Sequence, residues 1–295
     1  MRLAYVTHVL LAILLLLASA VTFGRSMVVY ATEKPLQEYL SLLQTRPSFM
    51  LDEQPMSLQQ SQRILSEIHI FNTAVMQSDQ QVSLVLKSET ANLKRTFLLT
   101  QTGRAATFVE TYSLADIGDK RDDFYITQPL LAAGEYPVGL YTSVNNTRAL
   151  ASKPDQLSLL TAVSHPNWNT DWSILESLNF QHIHSVDSMD AALTLVAKQK
   201  ADILLFAFQG SDDFSFTHLG DKVVPIVGIS VFFPESRHFL VSKKHPDGEA
   251  IFTALESGLS TMRERGDIKK IYQRFGVMDL RVADWQVINR DKTLK

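Results

Sequence analysis

The pattern of apolar and polar positions from residue 159 to residue 208 predicts alternating strands and helices. Short β-rich runs occur at residues 159–163 and 180–184, and residues 201–208 are almost entirely apolar, which is typical of a strand covered on both faces. Two helical patterns separate these runs, one capped at Thr170 and the other at Asp187 or Ser188. Strands that alternate with helices of this length predict parallel βαβ units.

The preceding part of the chain shows a similar alternation. Strands are predicted at residues 27–31, 81–86 and 105–109, and helices at residues 57–76 and 92–100, with a shorter helical pattern at residues 36–43. In the helix at residues 92–100, which Gly103 ends, the buried face is expected to carry Leu93, Phe97 and Leu98. Two further amphipathic patterns predict helices near the end of the chain, at residues 251–262 and 267–275.

Two extended runs, at residues 134–141 and 238–241, flank the alternating segment of the first paragraph. Extended connectors on both sides of an inserted α/β unit are typical of a hinged, two-lobed protein. We therefore predict a first lobe from residues 21–138 and 239–295, and an inserted second lobe from residues 139–238.

The first twenty residues predict a cleavable signal peptide. Arg2 precedes an unbroken apolar run at residues 9–17, and Ala18-Ser19-Ala20 is a small-residue cleavage pattern. The alternative is an uncleaved membrane anchor, for which the apolar run is short. We expect export to a bacterial periplasm.

Composition excludes several classes of protein. The chain has 295 residues, an apolar fraction of 45%, a charged fraction of 20% and a net charge of −3, so neither extensive disorder nor a nucleic-acid-binding surface is expected. Cysteine is absent, which excludes disulfides, a thiolate nucleophile and a lipid-modified cysteine after the signal. We expect a monomer, and no cofactor.

The sequence contains no motif that predicts catalysis. It has no nucleophile elbow, phosphate-binding glycine loop or metalloprotease helix. His182 and His184 share one face of a predicted strand, but no third metal ligand follows at a characteristic spacing. An enzyme is not predicted.

Four segments together resemble the type II periplasmic solute-binding proteins, in particular the amino-acid-binding receptors of ABC importers. The segments are a helix with its glycine turn at residues 92–105, an Arg-aromatic-Pro-crossover pattern at residues 119–140, a helix followed by Ala201-Asp202 at residues 187–202, and the return strand with the closing helices at residues 239–244 and 264–272. This resemblance implies a two-lobed α/β fold with two hinge crossovers. It also implies a small-molecule solute, either an amino acid or another small carboxylate, and an ABC permease as partner.

The resemblance assigns binding roles to individual residues. Arg121 matches the arginine that holds the ligand carboxylate through a bidentate fork; the alternative is a surface arginine paired with Asp122 or Asp123. Asn169 and Thr170 match the helix start whose backbone N–H groups meet an anion in the family.

Other candidate site residues follow from their positions alone. Glu33 and Gln209 come directly after predicted strands, where parallel sheets place their ligands. The alternative for Glu33 is an exposed loop. Trp168 in the loop and Tyr112 after a strand could supply aromatic walls to a pocket.

Two departures from the family pattern bear on the ligand. Asp171 lies at the predicted anion-binding helix start, and Phe206 and Ala207 stand where the family carries an acid for the ligand ammonium. We therefore predict a receptor for a small, carboxylate-bearing solute that closes by hinge motion. The alternative is a sensor or protein-interaction module that keeps the fold without the solute site, and a hydrolase built on the same architecture is a weaker rival.

Overall fold

The computed structural model describes residues 26–45, 62–80, 82–166 and 168–290, so the predicted signal peptide lies outside the described residues. The strands are β1 (Ser26–Thr32), β2 (Ser83–Glu89), β3 (Tyr112–Ser113), β4 (Phe124–Ile126), β5 (Pro137–Ser143), β6 (Thr161–Ser164), β7 (His182–Ser185), β8 (Leu204–Phe206), β9 (Phe216–His218), β10 (Asp221–Phe232), β11 (Arg237–His238), β12 (Leu240–Ser242) and β13 (Gln286–Val287). The α-helices are α1 (Glu33–Thr45), α2 (Gln62–Gln77), α3 (Leu93–Gln101), α4 (Leu114–Ile117), α5 (Thr147–Leu150), α6 (Asn169–Ser177), α7 (Met189–Ala197), α8 (Gly248–Glu264) and α9 (Asp267–Arg274).

The first lobe is an α/β unit built on β1, β2 and the closing helices. β1 and β2 pair in parallel from Ser26–Ser83 to Thr32–Glu89, and Tyr30 forms a parallel bridge with Phe108. Its core draws apolar side chains from residues 27–131 and 239–277. The predicted strand at residues 105–109 is present only as bridges to β1 and to Val241.

The second lobe contains the alternation that the sequence predicts most clearly. β6 pairs with β7 in parallel, and Ala162 forms a parallel bridge with Ile203 just before β8. β5 pairs antiparallel with both β8 and β10. Two core clusters, drawn almost entirely from residues 138–231, lie on this scaffold. The α/β, two-lobed prediction is confirmed.

Two extended crossovers run side by side between the lobes. The first contains Gly134 and Tyr136 and leads into β5, and the second contains Phe233 and follows β10. The N–H of Gly134 donates to the carbonyl of Phe233 at 2.9 Å, and the N–H of Phe233 donates to the carbonyl of Tyr136 at 3.1 Å. The rings of Tyr136 and Phe233 lie 5.4 Å apart. The predicted pair of hinge crossovers is therefore a hydrogen-bonded ribbon.

A third connection returns to the second lobe after α9. Val282 lies in a core cluster of the second lobe, and Trp285 packs at right angles to Phe208 and Phe214. β13 pairs in parallel with β10. The segment from residue 280 to 289, assigned above to the first lobe, thus packs on the second; it is short and carries no periodic pattern that could have placed it.

Two local predictions need correction. In α3, Leu93 and Leu98 are 48% and 55% exposed, whereas Thr96 and Thr100 are buried with their hydroxyls bonded to main-chain carbonyls one turn back. Helix α6 begins at Asn169, so Thr170 is inside the helix rather than its cap. Ser188 does cap α7, as predicted, by accepting from the N–H of Ala191.

Within the described ranges, none of the helices combines the length and the apolar character that crossing a membrane requires.

Candidate functional site

A cleft of about 370 Å³ lies between the lobes, at the hinge ribbon. The first lobe contributes Arg63, Leu93 and Asp116 to its wall, and also Arg237, which the predicted bounds put in the second lobe but whose strand β11 pairs with β3. The ribbon contributes Tyr136, Val138 and Phe233, and the second lobe contributes residues 168–171, Met189 and residues 205–207. Most of the wall is apolar, and the charged groups stand on opposite sides. This is the usual composition of a small-molecule site.

Arg63, in the first turn of α2, is paired with an acid one turn further along. Its Nη1 lies 2.5 Å from Oε1 of Glu67, which is fully buried. Glu67 also accepts hydrogen bonds from the hydroxyl of Thr111 at 2.6 Å and from its N–H at 3.1 Å. Burial alone would lower the pKa of Arg63, but the Glu67 carboxylate, with smaller contributions from Tyr136 and Tyr272, raises it above its usual value. The pair holds Arg63 charged at the floor of the cleft.

Arg237, at the end of the second crossover, is held by the same threonine. Its Nε donates to the hydroxyl of Thr111 at 2.8 Å, and its Nη2 donates to the Thr111 carbonyl at 2.5 Å. Burial, and then the neighbouring charge of Arg63, lower the pKa of Arg237. Unlike Arg63, Arg237 has no ion-pair partner among the described residues.

The two guanidinium groups keep donors for a ligand. Across the described part of the chain, no acceptor lies within hydrogen-bonding distance of Nη1 of Arg237, or of Nε and Nη2 of Arg63. A guanidinium presents its N–H groups in a planar fork that matches a carboxylate. The first lobe therefore offers an anion site with two oriented cations.

Tyr272 of α9 lies beneath these arginines. It is fully buried, and its hydroxyl has no hydrogen-bond partner among the described residues. Burial, followed by the negative charge of Glu67, raises the pKa of Tyr272 well above its usual range. The hydroxyl is thus a neutral donor beside the arginine cluster.

The second lobe presents the first turn of α6 to the cleft. Asn169 is exposed, and the hydroxyl of Thr170 donates to Glu235 of the second crossover at 3.1 Å. Burial raises the pKa of Asp171 to about 7, although Arg237 and Arg63 act in the opposite direction. The Asp171 carboxyl is therefore balanced between its neutral and charged forms near neutral pH.

The structure brings three of the seven predicted site residues together. Trp168, Asn169 and Thr170 all line the cleft, and the Trp168 ring lies 5.3 Å from the ring of His165. Their position follows from a local rule, since they span the loop after β6 and the start of α6.

The other four predicted residues are not among those that line the cleft. Arg121 is exposed and donates to the carbonyl of Leu114 at 3.4 Å. Tyr112 is buried, with its hydroxyl 2.6 Å from that of Thr96. Their roles in ligand binding stay predictions.

Glu33 and Gln209 also have contacts of their own. Glu33 begins α1 and accepts from the hydroxyl of Thr90 at 2.7 Å. Gln209 uses its amide nitrogen to donate to the carbonyl of Ala207 at 2.8 Å.

Sequence reasoning missed the two arginines of the cleft. The signal for Arg63 was its spacing of four residues from Glu67, which places the two side chains on one helix face. The signal for Arg237 was its position immediately before the extended return run. Neither signal identifies a site alone, because only the fold brings the two residues to Thr111.

In the described ranges, no group of three histidine, aspartate or glutamate side chains is arranged to hold a metal ion.

No family model matches the sequence. No curated protein matches it either.

Solved structures do resemble the chain, at low sequence identity. A probable amino-acid ABC transporter extracellular-binding protein from Bacillus subtilis superposes with a TM-score of 0.57 at 8% identity, over 87% of this chain and 100% of that one. The GlnP substrate binding domain 2 of Lactococcus lactis gives 0.52 at 13%, over 85% and 94%. The BvgS periplasmic VFT2 domain of Bordetella pertussis gives 0.52 at 11%, over 88% and 93%. At these identities the likeness concerns the fold, and the chain has the two-lobed fold of the type II periplasmic solute-binding proteins.

Proposed function

We propose that the protein binds a small, carboxylate-bearing solute between its lobes and closes on it. The observation that carries this proposal is the pair of guanidinium groups of Arg63 and Arg237, which line the interlobe cleft and keep N–H groups without a partner among the described residues. Two oriented cations beside apolar walls favour an anion with an apolar body.

Closure of the two lobes follows from the position of the binding groups on both of them. The solute carboxylate binds to the arginines of the first lobe, and the helix start at Asn169 and Thr170 contacts the solute from the second lobe. A ligand that touches both lobes binds the closed form better than the open form, so it shifts the population toward the closed form. The ribbon of Gly134, Tyr136 and Phe233 is where the backbone bends.

We further propose that the protein is exported to the periplasm and presents its closed form to an ABC permease. The support is the fold shared with the Bacillus subtilis and Lactococcus lactis proteins, which are named as a transporter's binding protein and as a substrate binding domain. Amino-terminal sequencing of the exported protein should start at Val21.

A thermal-shift screen with small carboxylates tests the solute site. Arg237→Lys keeps the positive charge but removes the planar fork, so a stabilising ligand should lose most of its effect. The stabilisation grows as RT ln(1 + [L]/Kd), so the loss converts directly to affinity.

Arg121→Lys is the matched control, and it also tests the role predicted for Arg121. If Arg121→Lys abolishes the shift and Arg237→Lys does not, the anchor is Arg121. If no carboxylate shifts a protein that unfolds cooperatively, solute binding is rejected in favour of the sensor or interaction module.

A further inference from the structure

The charges across the cleft are unevenly matched. Arg63 forms an ion pair with Glu67, and Glu67 also accepts two hydrogen bonds from Thr111. Arg237 has no ion-pair partner among the described residues: Glu67 and Asp116 act on its charge from the first lobe, and the carboxyl of Asp171 lines the cleft from the second lobe. Among the described residues, the Asp171 carboxyl has a hydrogen bond from its own backbone N–H and makes no ion pair or hydrogen bond with another side chain. Among the described residues, Arg237 is thus a cleft cation without an ion-pair partner, and Asp171 is the corresponding acid on the second lobe.

The other acids near the cleft are already engaged. Asp116 accepts the N–H of Ser113 at 3.1 Å in a capping box, and it is exposed to solvent. Glu235 accepts the hydroxyl of Thr170. Asp116 could still meet a ligand ammonium at the water-exposed edge of the cleft, whereas beside the second lobe's apolar wall a ligand ammonium would meet Asp171.

The walls next to Asp171 disfavour a second buried charge pair. Leu205, Phe206, Phe233 and Met189 line the same cleft. An amino acid would bury two ion pairs, its carboxylate with Arg237 and its ammonium with Asp171. A simple carboxylate buries one pair and leaves Asp171 neutral. Each charge taken from water has a desolvation cost, so the single pair is favoured in apolar surroundings.

We propose, on the basis of the solute-binding function above, that the cleft selects small monocarboxylates that lack an ammonium group. Asp171 is the residue that determines this specificity. In its neutral form its O–H donates a hydrogen bond to one oxygen of the ligand carboxylate, while Arg237 donates to the carboxylate from the first lobe. An ionised Asp171 would repel the same ligand.

Binding then consumes a proton from solution. The bound state holds one more proton, on Asp171, than the free ionised protein and the free carboxylate together, and no covalent bond changes. Since burial places the pKa of Asp171 at about 7, the affinity for a carboxylate should fall by close to tenfold per pH unit above about 7.

Other charged and titratable groups lie at or around the cleft, and their effects must be separated from that of Asp171. They are Arg63 and Glu67 of α2, Asp116 of α4, Tyr136 and Glu235 of the crossovers, Arg237 of β11, Tyr272 of α9 and His165 in the loop before α6. His165 is the one among them whose usual pKa lies close to neutrality. His165→Gln is therefore the control for the pH profile.

Matched ligand pairs test the proposal. Hydrocinnamate and phenylalanine differ only in the ammonium group, as do isocaproate and leucine. We would measure each by calorimetry at about pH 6 and about pH 8, in two buffers of different ionisation heat, which reports proton uptake. The des-amino member of each pair should bind with proton uptake and more weakly at the higher pH, and its amino acid should not bind.

The Asp171→Asn variant keeps the size of the side chain and supplies an N–H donor that does not titrate. This variant should bind hydrocinnamate equally at both pH values, and His165→Gln should keep the wild-type profile. If phenylalanine or leucine binds more tightly than its partner and loses affinity in Asp171→Asn, then Asp171 is an ammonium acceptor; the proposal fails and the proposed function stands. If only carboxylates with a second carboxylate or an ammonium group bind, the monocarboxylate class is rejected. If nothing binds, both fail.

Discussion

Asn289 exchanges two hydrogen bonds with the main chain of Phe232, at the point where β10 leaves the second lobe. Its Oδ1 accepts from the N–H of Phe232 at 2.9 Å, and its Nδ2 donates to the Phe232 carbonyl at 2.7 Å. Asn289 is 6% exposed, so water does not compete for these groups. One side chain thus ties the third interlobe connection to a hinge crossover.

Asn289→Ala should leave the Phe232 N–H and carbonyl without partners. Leaving buried polar groups unsatisfied costs about 1–3 kcal/mol, so the urea midpoint should fall by the corresponding amount. Asn145→Ala, at an exposed position, is the control and should change the midpoint little. Equal midpoints for the two variants would show that this contact contributes nothing.

The pH dependence of the free energy of unfolding should show the raised pKa of Asp171. Its pKa is raised from 3.8 to about 7 by burial, so the folded state holds the proton more tightly than the unfolded state. The stability that the neutral form contributes is complete below about pH 4 and is lost as the pH rises through about 7. Urea midpoints measured across this window should therefore fall for the wild type relative to Asp171→Asn.

Asp171→Asn should be the more stable protein above pH 7, because the amide cannot ionise. Glu176→Gln, on the exposed side of the same helix, controls for removing a carboxylate from α6. Parallel profiles of the wild type and Asp171→Asn would show that the Asp171 carboxyl is not perturbed.

His69 should change the free energy of unfolding with pH in the opposite direction to Asp171. Burial lowers the pKa of His69 from 6.5 to about 4, and its Nδ1 lies 2.9 Å from the hydroxyl of Tyr39. The unfolded state binds the proton more tightly here, so stability is complete above about pH 6.5 and is lost as the pH falls toward 4. In the wild type this slope offsets that of Asp171 between about pH 4 and 6.5.

The two contributions can be separated by combining variants. Asp171→Asn alone should lose stability on acidification, and adding His69→Gln should remove most of that loss. His182→Gln, at an exposed strand position, is the control. Persistence of the loss in the double variant would assign it to other groups.

Much of the fold could be predicted because strand and helix periods are local properties of the sequence. The alternation of strands and helices in the second lobe could be predicted from the apolar runs around β6, β7 and β8 and from the cap at Ser188. The predicted buried face of α3 was wrong, and the reason is also local. Thr96 and Thr100 satisfy their hydroxyls on carbonyls of their own helix, so they can be buried in place of Leu93 and Leu98.

The only cleft residues that could be predicted from the sequence are those directly after the end of one strand, β6. Trp168, Asn169 and Thr170 occupy the loop and helix start after β6, and the cleft contains them. Arg63 and Arg237 are brought together by Thr111, which neither neighbours in the chain. No single-segment pattern contains that relationship.

Gly258 provides a test of the packing between α8 and α2. A Cβ at this position would overlap the carbonyl oxygen of Ala74, so the two helices approach closely only because the side chain is absent. In an exposed helix, replacing glycine by alanine stabilises by about 1 kcal/mol. Here overpacking should reverse the sign, and Gly258→Ala should destabilise the protein by about 1–3 kcal/mol in urea unfolding.

Ser260→Ala, two residues further along the same helix and exposed, is the matched control because it changes helix propensity without touching α2. It should be neutral or slightly stabilising. Because α2 carries Arg63 and Glu67, a forced shift of this helix should also weaken any carboxylate found in the screen, whereas Ser260→Ala should leave its affinity unchanged. A Gly258→Ala variant as stable as Ser260→Ala would show that the helices have room to separate, and the close contact would then play no part in positioning Arg63.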